Sequence, residues 1–158
     1  MINNAGIPGD FPQDASNVTM QNIRKVYDTN FFGVIQTTQA FLPLLKKSAA
    51  PRIVNVSSDL GSLSLHNDTA YEHYHTKLTA YNSSKTALNA YTVLLAYELR
   101  HTAFKVNSVN PGYTKTAFNF NQGHKPVADG AAPIVKYATM GNEGPTGHFL
   151  SDHGITPW

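Results

Sequence analysis

Residues 52–57, Arg52-Ile53-Val54-Asn55-Val56-Ser57, are a short β-branched run behind Pro51, and such a run reads as a buried strand. Residues 104–109, Phe104-Lys105-Val106-Asn107-Ser108-Val109, repeat the pattern and are stopped by Asn110-Pro111-Gly112. Between the two runs lie a polar loop from Ser58 to about Thr76 and a helix predicted over about 77–101. Tyr81, Leu88, Thr92, Leu95 and Leu99 mark one side of that helix. Two buried strands joined by a long helix imply a right-handed crossover and parallel pairing.

Working outward, apolar residues recur at helical spacing from about Thr19 to Lys47, and Pro43 is expected to bend or tighten the last turns. The opening Asn3-Asn4-Ala5-Gly6-Ile7-Pro8-Gly9-Asp10 is turn chemistry with nothing regular before it. After Val109 a Gly-rich polar stretch runs to about Val127, followed by a predicted short helix near 129–140 and a third strand near 147–151. The order helix, strand, helix, strand, helix, strand predicts an α/β fold with a parallel sheet covered on both faces. Ligands of such sheets bind at the carboxyl edge, in the loops that follow the strands.

The composition fits this reading. The chain has 158 residues, 41% hydrophobic and 14% charged, which suits one packed domain and excludes disorder as its main description. The net charge of +2 is small and dispersed, so neither nucleic acid nor an anionic membrane is expected as a partner. The absence of cysteine excludes disulfides, zinc-thiolate sites and a cysteine nucleophile. Apolar runs fall well short of the roughly 18 residues a bilayer needs. The amino-terminal residues lack the basic and apolar regions of a signal peptide, so a cytoplasmic location is expected. His66, His73 and His75 do not share a helical face and have no carboxylate cluster beside them. They are read as solvated loop residues, and no metal site is expected.

Three features carry chemistry. Tyr81 and Lys85, four apart on a predicted helix, share a face. Ser57-Ser58 ends a strand. Asn30 lies on the apolar stripe between Tyr27, Phe31 and Val34, where an amide needs buried partners. Each alone is weak: Tyr-x-x-x-Lys is often a surface pair, and serines often end strands. In order along the chain stand Asn3-Asn4-Ala5-Gly6, Asn30-Phe31-Phe32-Gly33, Ile53-Val54-Asn55-Val56-Ser57-Ser58, Tyr81-Asn82-Ser83-Ser84-Lys85 and Asn110-Pro111-Gly112-Tyr113-Thr114-Lys115-Thr116. Together this series resembles the short-chain dehydrogenase/reductase family over nearly the whole chain. The ending Gly144-Pro145-Thr146-Gly147-His148-Phe149 looks like its carbonyl-reductase-like branch.

The resemblance implies a Rossmann-type three-layer α/β/α fold of which this chain is the carboxyl-terminal half, a single partial domain over 1–158. It implies an NAD(P)-dependent oxidoreductase that reduces a ketone or aldehyde, with NADP (or NAD) as cofactor and a small carbonyl or alcohol as substrate. Tyr81 would be the general acid, Ser58 would bond the substrate oxygen, and Asn30 would hold a water linking Lys85 to solvent. Lys85 would favour the phenolate and hold the nicotinamide ribose. Asn4 matches the position beside the adenosine ribose, and Thr114 and Thr116 match the part that meets the carboxamide. Ser58 and Tyr81 are 23 residues apart, longer than in many members, so 59–80 is expected to contain an insertion beside the substrate cleft and 113–128 to be a mobile substrate loop. No Gly-rich phosphate turn precedes Asn3. The chain alone is therefore expected to bind dinucleotide weakly or not at all and to be prone to self-association through an exposed sheet edge. The alternative is a non-catalytic remnant of such an enzyme.

Overall fold

The computed structural model describes residues 1–158. Five strands form one sheet in the order β1-β2-β3-β4-β5: β1 (Ile2–Asn3), β2 (Arg52–Val56), β3 (Lys105–Val109), β4 (Phe149–Ser151) and β5 (Gly154–Ile155). The first three pairings are parallel, with Ile2 opposite Val54 and Ile53 opposite Val106. The last is an antiparallel hairpin, Leu150 opposite Ile155, so the sheet is mixed rather than wholly parallel. Residue periodicity alone marks neither β1 nor β5, because each is two residues long, too short for any period to register.

The helical run expected over 19–47 is α1 (Met20–Tyr27), a π-helical turn over Asp28–Phe32, and α2 (Gly33–Leu45). The Thr19 hydroxyl accepts from the Asn22 amide and starts it, and Pro43 lies in its last turn. The 58–76 segment is not a plain loop. Ser58 and Ser62 each accept a backbone amide, from Leu60 and Leu65, and these caps start a 3₁₀ turn (Asp59–Gly61) and α3 (Leu63–Asn67). The long helix α4 is tighter than expected, Thr79–Glu98, and α5 spans Val127–Ala138.

Adjacent residues of β2 point to opposite faces, and each meets its own helix layer. Ile53 and Val106 pack with Leu95, Leu99 and Phe104, covered by Leu42 and Leu45 of α2. Val54 and Val109 pack with Tyr137 and Leu150 under α5. This is the three-layer α/β/α arrangement. Truncating a fully buried side chain such as Ile53 to Ala costs about 2–5 kcal/mol. The α4 face also buries a closed polar relay. Asn3 donates to Asn55 and Thr38, Asn55 donates to Thr92, and Thr92 shares a 2.8 Å bond with Ser108. Because every member has a partner, the network fixes strand register rather than destabilising the core.

Candidate active site

The carboxyl ends of β1, β2 and β3 release Asn4-Ala5-Gly6, Ser57-Ser58 and Asn110-Pro111-Gly112 onto one rim. A cavity of about 1080 Å³ opens there, lined also by Tyr81, Lys85, Thr114 and Thr116. Six of the seven expected site residues thus share one space: Asn4, Ser58, Tyr81, Lys85, Thr114 and Thr116.

Asn30, the seventh, lies beneath the floor of the cavity. It is fully buried on the π-helical turn, where its Oδ1 accepts from the Ile7 amide at 2.8 Å. Its Nδ2 donates to the Ile7 carbonyl and to Ser84 Oγ, at 3.0 and 3.1 Å. The amide therefore ties the Gly6-Ile7 turn to α4, a role the expected water contact did not anticipate. A Cβ built on Gly6 would meet Asn30 Oδ1 at 3.4 Å and Lys85 Nζ at 3.6 Å, so both groups face the space that this glycine leaves open.

Lys85 reaches across and donates to the Val56 carbonyl at 2.8 Å, with its Nζ 5.8 Å from the centre of the Tyr81 ring. Burial pushes its ammonium down to about 8. Burial also raises the proton affinity of the Tyr81 phenol. The Ser58 hydroxyl pulls it the other way and the Asp59 charge adds to the rise. Burial thus acts on Tyr81 in the direction opposite to the one expected of Lys85, favouring the neutral phenol. A phenol that holds its proton is suited to give it to a carbonyl oxygen.

Of the two serines, Ser58 is the one beside the phenol. Its hydroxyl donates to Asp59 Oδ1 at 3.2 Å and accepts from the Leu60 amide at 3.2 Å. Ser57 also borders the cavity, with a buried Oγ that has no partner.

Several residues that hold these groups escaped the sequence reading. Gln13 is buried, and its Oε1 accepts from the amides of Ala80 and Tyr81, both at 3.1 Å, capping α4 where Leu78 offers no side-chain cap. No local signal marks it, because cap and helix are more than sixty residues apart. Ser84 donates to the Tyr81 carbonyl at 2.7 Å. Gly61 lets the turn after Ser58 lie against α4: a Cβ there would stand 2.8 Å from Lys85 Cβ and 2.9 Å from its backbone carbon.

His66 is half-buried rather than solvated. Its ring bonds the Leu60 carbonyl at 2.7 Å and lies 3.1 Å from Lys77 Nζ, because α3 folds back over the 3₁₀ turn. The 113–128 segment is tied back at Lys125, which donates to Asp152 at 2.7 Å and to the Pro111 carbonyl at 3.1 Å.

A family model for short chain dehydrogenases matches residues 1–126. Among curated proteins, the chain is 32% identical to (+)-neomenthol dehydrogenase of Capsicum annuum, covering 84% of this chain and 52% of that one. It is 33% identical to salutaridine reductase of Papaver bracteatum, covering 87% and 54%. Among solved structures it superposes on the carbonyl reductase Sniffer of D. melanogaster with a TM-score of 0.84 at 29% identity, covering 99% of this chain and 65% of that one. An NADPH-bound carbonyl reductase from chicken fatty liver gives 0.79 at 27% identity, covering 99% and 64%. The chain spans about half the length of the curated relatives it matches. No helix is long and apolar enough to cross a membrane.

Proposed function

Because the chain belongs to the short-chain dehydrogenase family, we propose that it serves the NAD(P)H-dependent reduction of a ketone or aldehyde, with Tyr81 as the proton donor. The observation that carries this is the convergence of Tyr81, Ser58 and Lys85 on one cavity at the strand ends, where burial favours the neutral phenol.

The residues present fit the nicotinamide end of a dinucleotide. Gly6 leaves open space beside Lys85 Nζ, and Thr114 and Thr116 border the same cavity. Lys85 and Tyr81 would hold the ribose, Thr114 and Thr116 the carboxamide, and Asn4 the adenosine side. The bound cofactor supplies the hydride. Ser58 turns its proton from Asp59 to the carbonyl oxygen and bonds it as negative charge gathers there. Tyr81 then gives that oxygen its proton, and Lys85, charged below about pH 8, orients the phenol and draws its replacement proton. Phe118, whose ring centre lies 5.5 Å from that of Tyr81, shields the phenol on the side of the 113–128 segment.

The test is carbonyl-dependent oxidation of NADPH by the purified chain, with NADPH affinity read in parallel by calorimetry. Turnover that falls at least about a hundredfold in Tyr81→Phe supports the reading. Turnover unchanged in that variant overturns it. A chain that binds no NADPH and reduces no carbonyl is instead the non-catalytic alternative.

A further inference from the structure

Asp59 is the one acid among the residues that line the cavity; the other charged group there, Lys85, is spoken for by the Val56 carbonyl and the proposed cofactor side. The Asp59 carboxylate uses only one oxygen. Oδ1 receives the Ser58 hydroxyl and the Leu60 amide, at 3.2 and 3.0 Å, and Oδ2 receives no hydrogen bond. No salt bridge reaches it. Nearby, the Tyr71 hydroxyl is buried with no partner within 3.5 Å, and burial, with the Asp59 carboxylate close enough to attract the hydroxyl, raises its proton affinity. From Tyr71 a row of rings leads along the rim, to His73 at 5.6 Å and on to Tyr113 at 5.2 Å between centres. A half-buried carboxylate with a free oxygen, on the wall of a cavity that also carries Leu60, Leu78 and Phe118 and close to aromatic rings, is poorly matched to an anionic ligand. It is well matched to a cation.

We propose that the substrate of this cleft carries a cationic nitrogen that pairs with Asp59, on an apolar body that packs against Leu60, Leu78, Tyr113 and Phe118. With its carbonyl oxygen on Ser58, the nitrogen lies within about 11 Å of that oxygen: a contact of about 2.8 Å at each end, the 3.2 Å from Ser58 Oγ to Asp59 Oδ1, and about 2.2 Å across the carboxylate. The substrate class is therefore a basic amino ketone with a short spacer. The inference rests on the reductase reading for the carbonyl but not for the amine. It also gives Asp59 a second effect. Its charge strengthens the hold of Tyr81 on its proton, so a cation seated against it makes that proton easier to give.

The probes are an aryl ketone with a trimethylammonium group three carbons from the carbonyl and its tert-butyl isostere. Both are titrated calorimetrically into the full chain at pH 8. The expected result is at least about tenfold tighter binding of the ammonium ketone, weakening as salt is added. Asp59→Asn, which keeps the Oδ1 acceptor, is expected to bring the ratio of the two affinities close to one, and Asp59→Glu to restore it. Equal binding by the unmodified chain, a preference that survives Asp59→Asn, or no binding of either probe at its solubility limit overturns the proposal. NADPH oxidation in the same series separates the two readings. Ketones reduced without regard to charge leave the reductase standing and remove the amine site. An Asp59-dependent preference without reduction does the reverse.

Discussion

The side chain of Gln13 caps the helix that carries Tyr81: its Oε1 accepts the Tyr81 amide at 3.1 Å from 68 positions upstream. The same oxygen takes the Ala80 amide, and Nε2 donates to the Pro8 carbonyl at 2.7 Å. The position of the phenol therefore depends on the loop after β1. Gln13→Ala leaves two buried amides without partners and is expected to cost about 2–4 kcal/mol, read from the urea midpoint. Gln13→Glu keeps the acceptor and is expected to recover part of that loss. A midpoint unchanged in Gln13→Ala would show that the cap is dispensable.

Lys85 makes stability depend on pH with a defined sign. Its folded-state value of about 8 lies below the ordinary lysine value of 10.5, so between these limits the unfolded chain binds more protons than the folded one. Stability is then expected to rise with pH above about 8. The raised phenol of Tyr81 ends the rise near pH 10, because the folded chain then retains a proton that the unfolded chain releases. Denaturant midpoints between pH 7 and 10 test this. The increase should vanish in Lys85→Met.

The same lysine sets the alkaline limb of turnover. If its ammonium orients Tyr81, carbonyl reduction falls as pH passes about 8, and Lys85→Arg, whose guanidinium stays charged, moves that limb upward. A limb that stays in place in Lys85→Arg would assign it to another group.

Gly61 sets the turn after Ser58 closely against α4. A methyl group there would lie 2.8 Å from Lys85 Cβ and 2.9 Å from backbone, so no rotamer change relieves it. Gly61→Ala is expected to cost about 1–3 kcal/mol and to separate Ser58 from Tyr81. Turnover should therefore fall by more than the loss of folded protein explains. Full activity in a stable Gly61→Ala protein would place the two groups farther apart in function than the cavity suggests.

Asp152 ties the 113–128 segment to the β4–β5 hairpin through Lys125, whose side chain is only 17% exposed. The Lys125 hydrogen bond holds the Asp152 carboxyl below the usual carboxylate range, so the tie is present at neutral pH and is lost as the carboxyl protonates in acid. Asp152→Asn is expected to speed amide exchange across residues 117–123 while leaving β2 and β3 protected. Exchange unchanged in that segment would mean that the cap of Asn119 on Thr116 holds the loop by itself.

The order of strands and helices, the Tyr81–Lys85 pair, the serine at the end of β2 and the family could all be read from the amino-acid sequence. Each rests on a local period or a short motif: β-branched runs at 52–57 and 104–109, a four-residue step on one helix, a turn signal at Asn110-Pro111-Gly112. Only the tertiary structure decided what surrounds those groups. It placed Asn30 against Ile7 and Ser84, Gln13 on α4 and Asp59 on the wall of the cavity beside Ser58, and it buried Tyr81 so that desolvation favours the neutral phenol where the pair by itself argued for phenolate. The physical reason is one of range. A motif fixes which groups lie one turn apart, whereas desolvation and long-range hydrogen bonds depend on segments that meet only when the chain has folded.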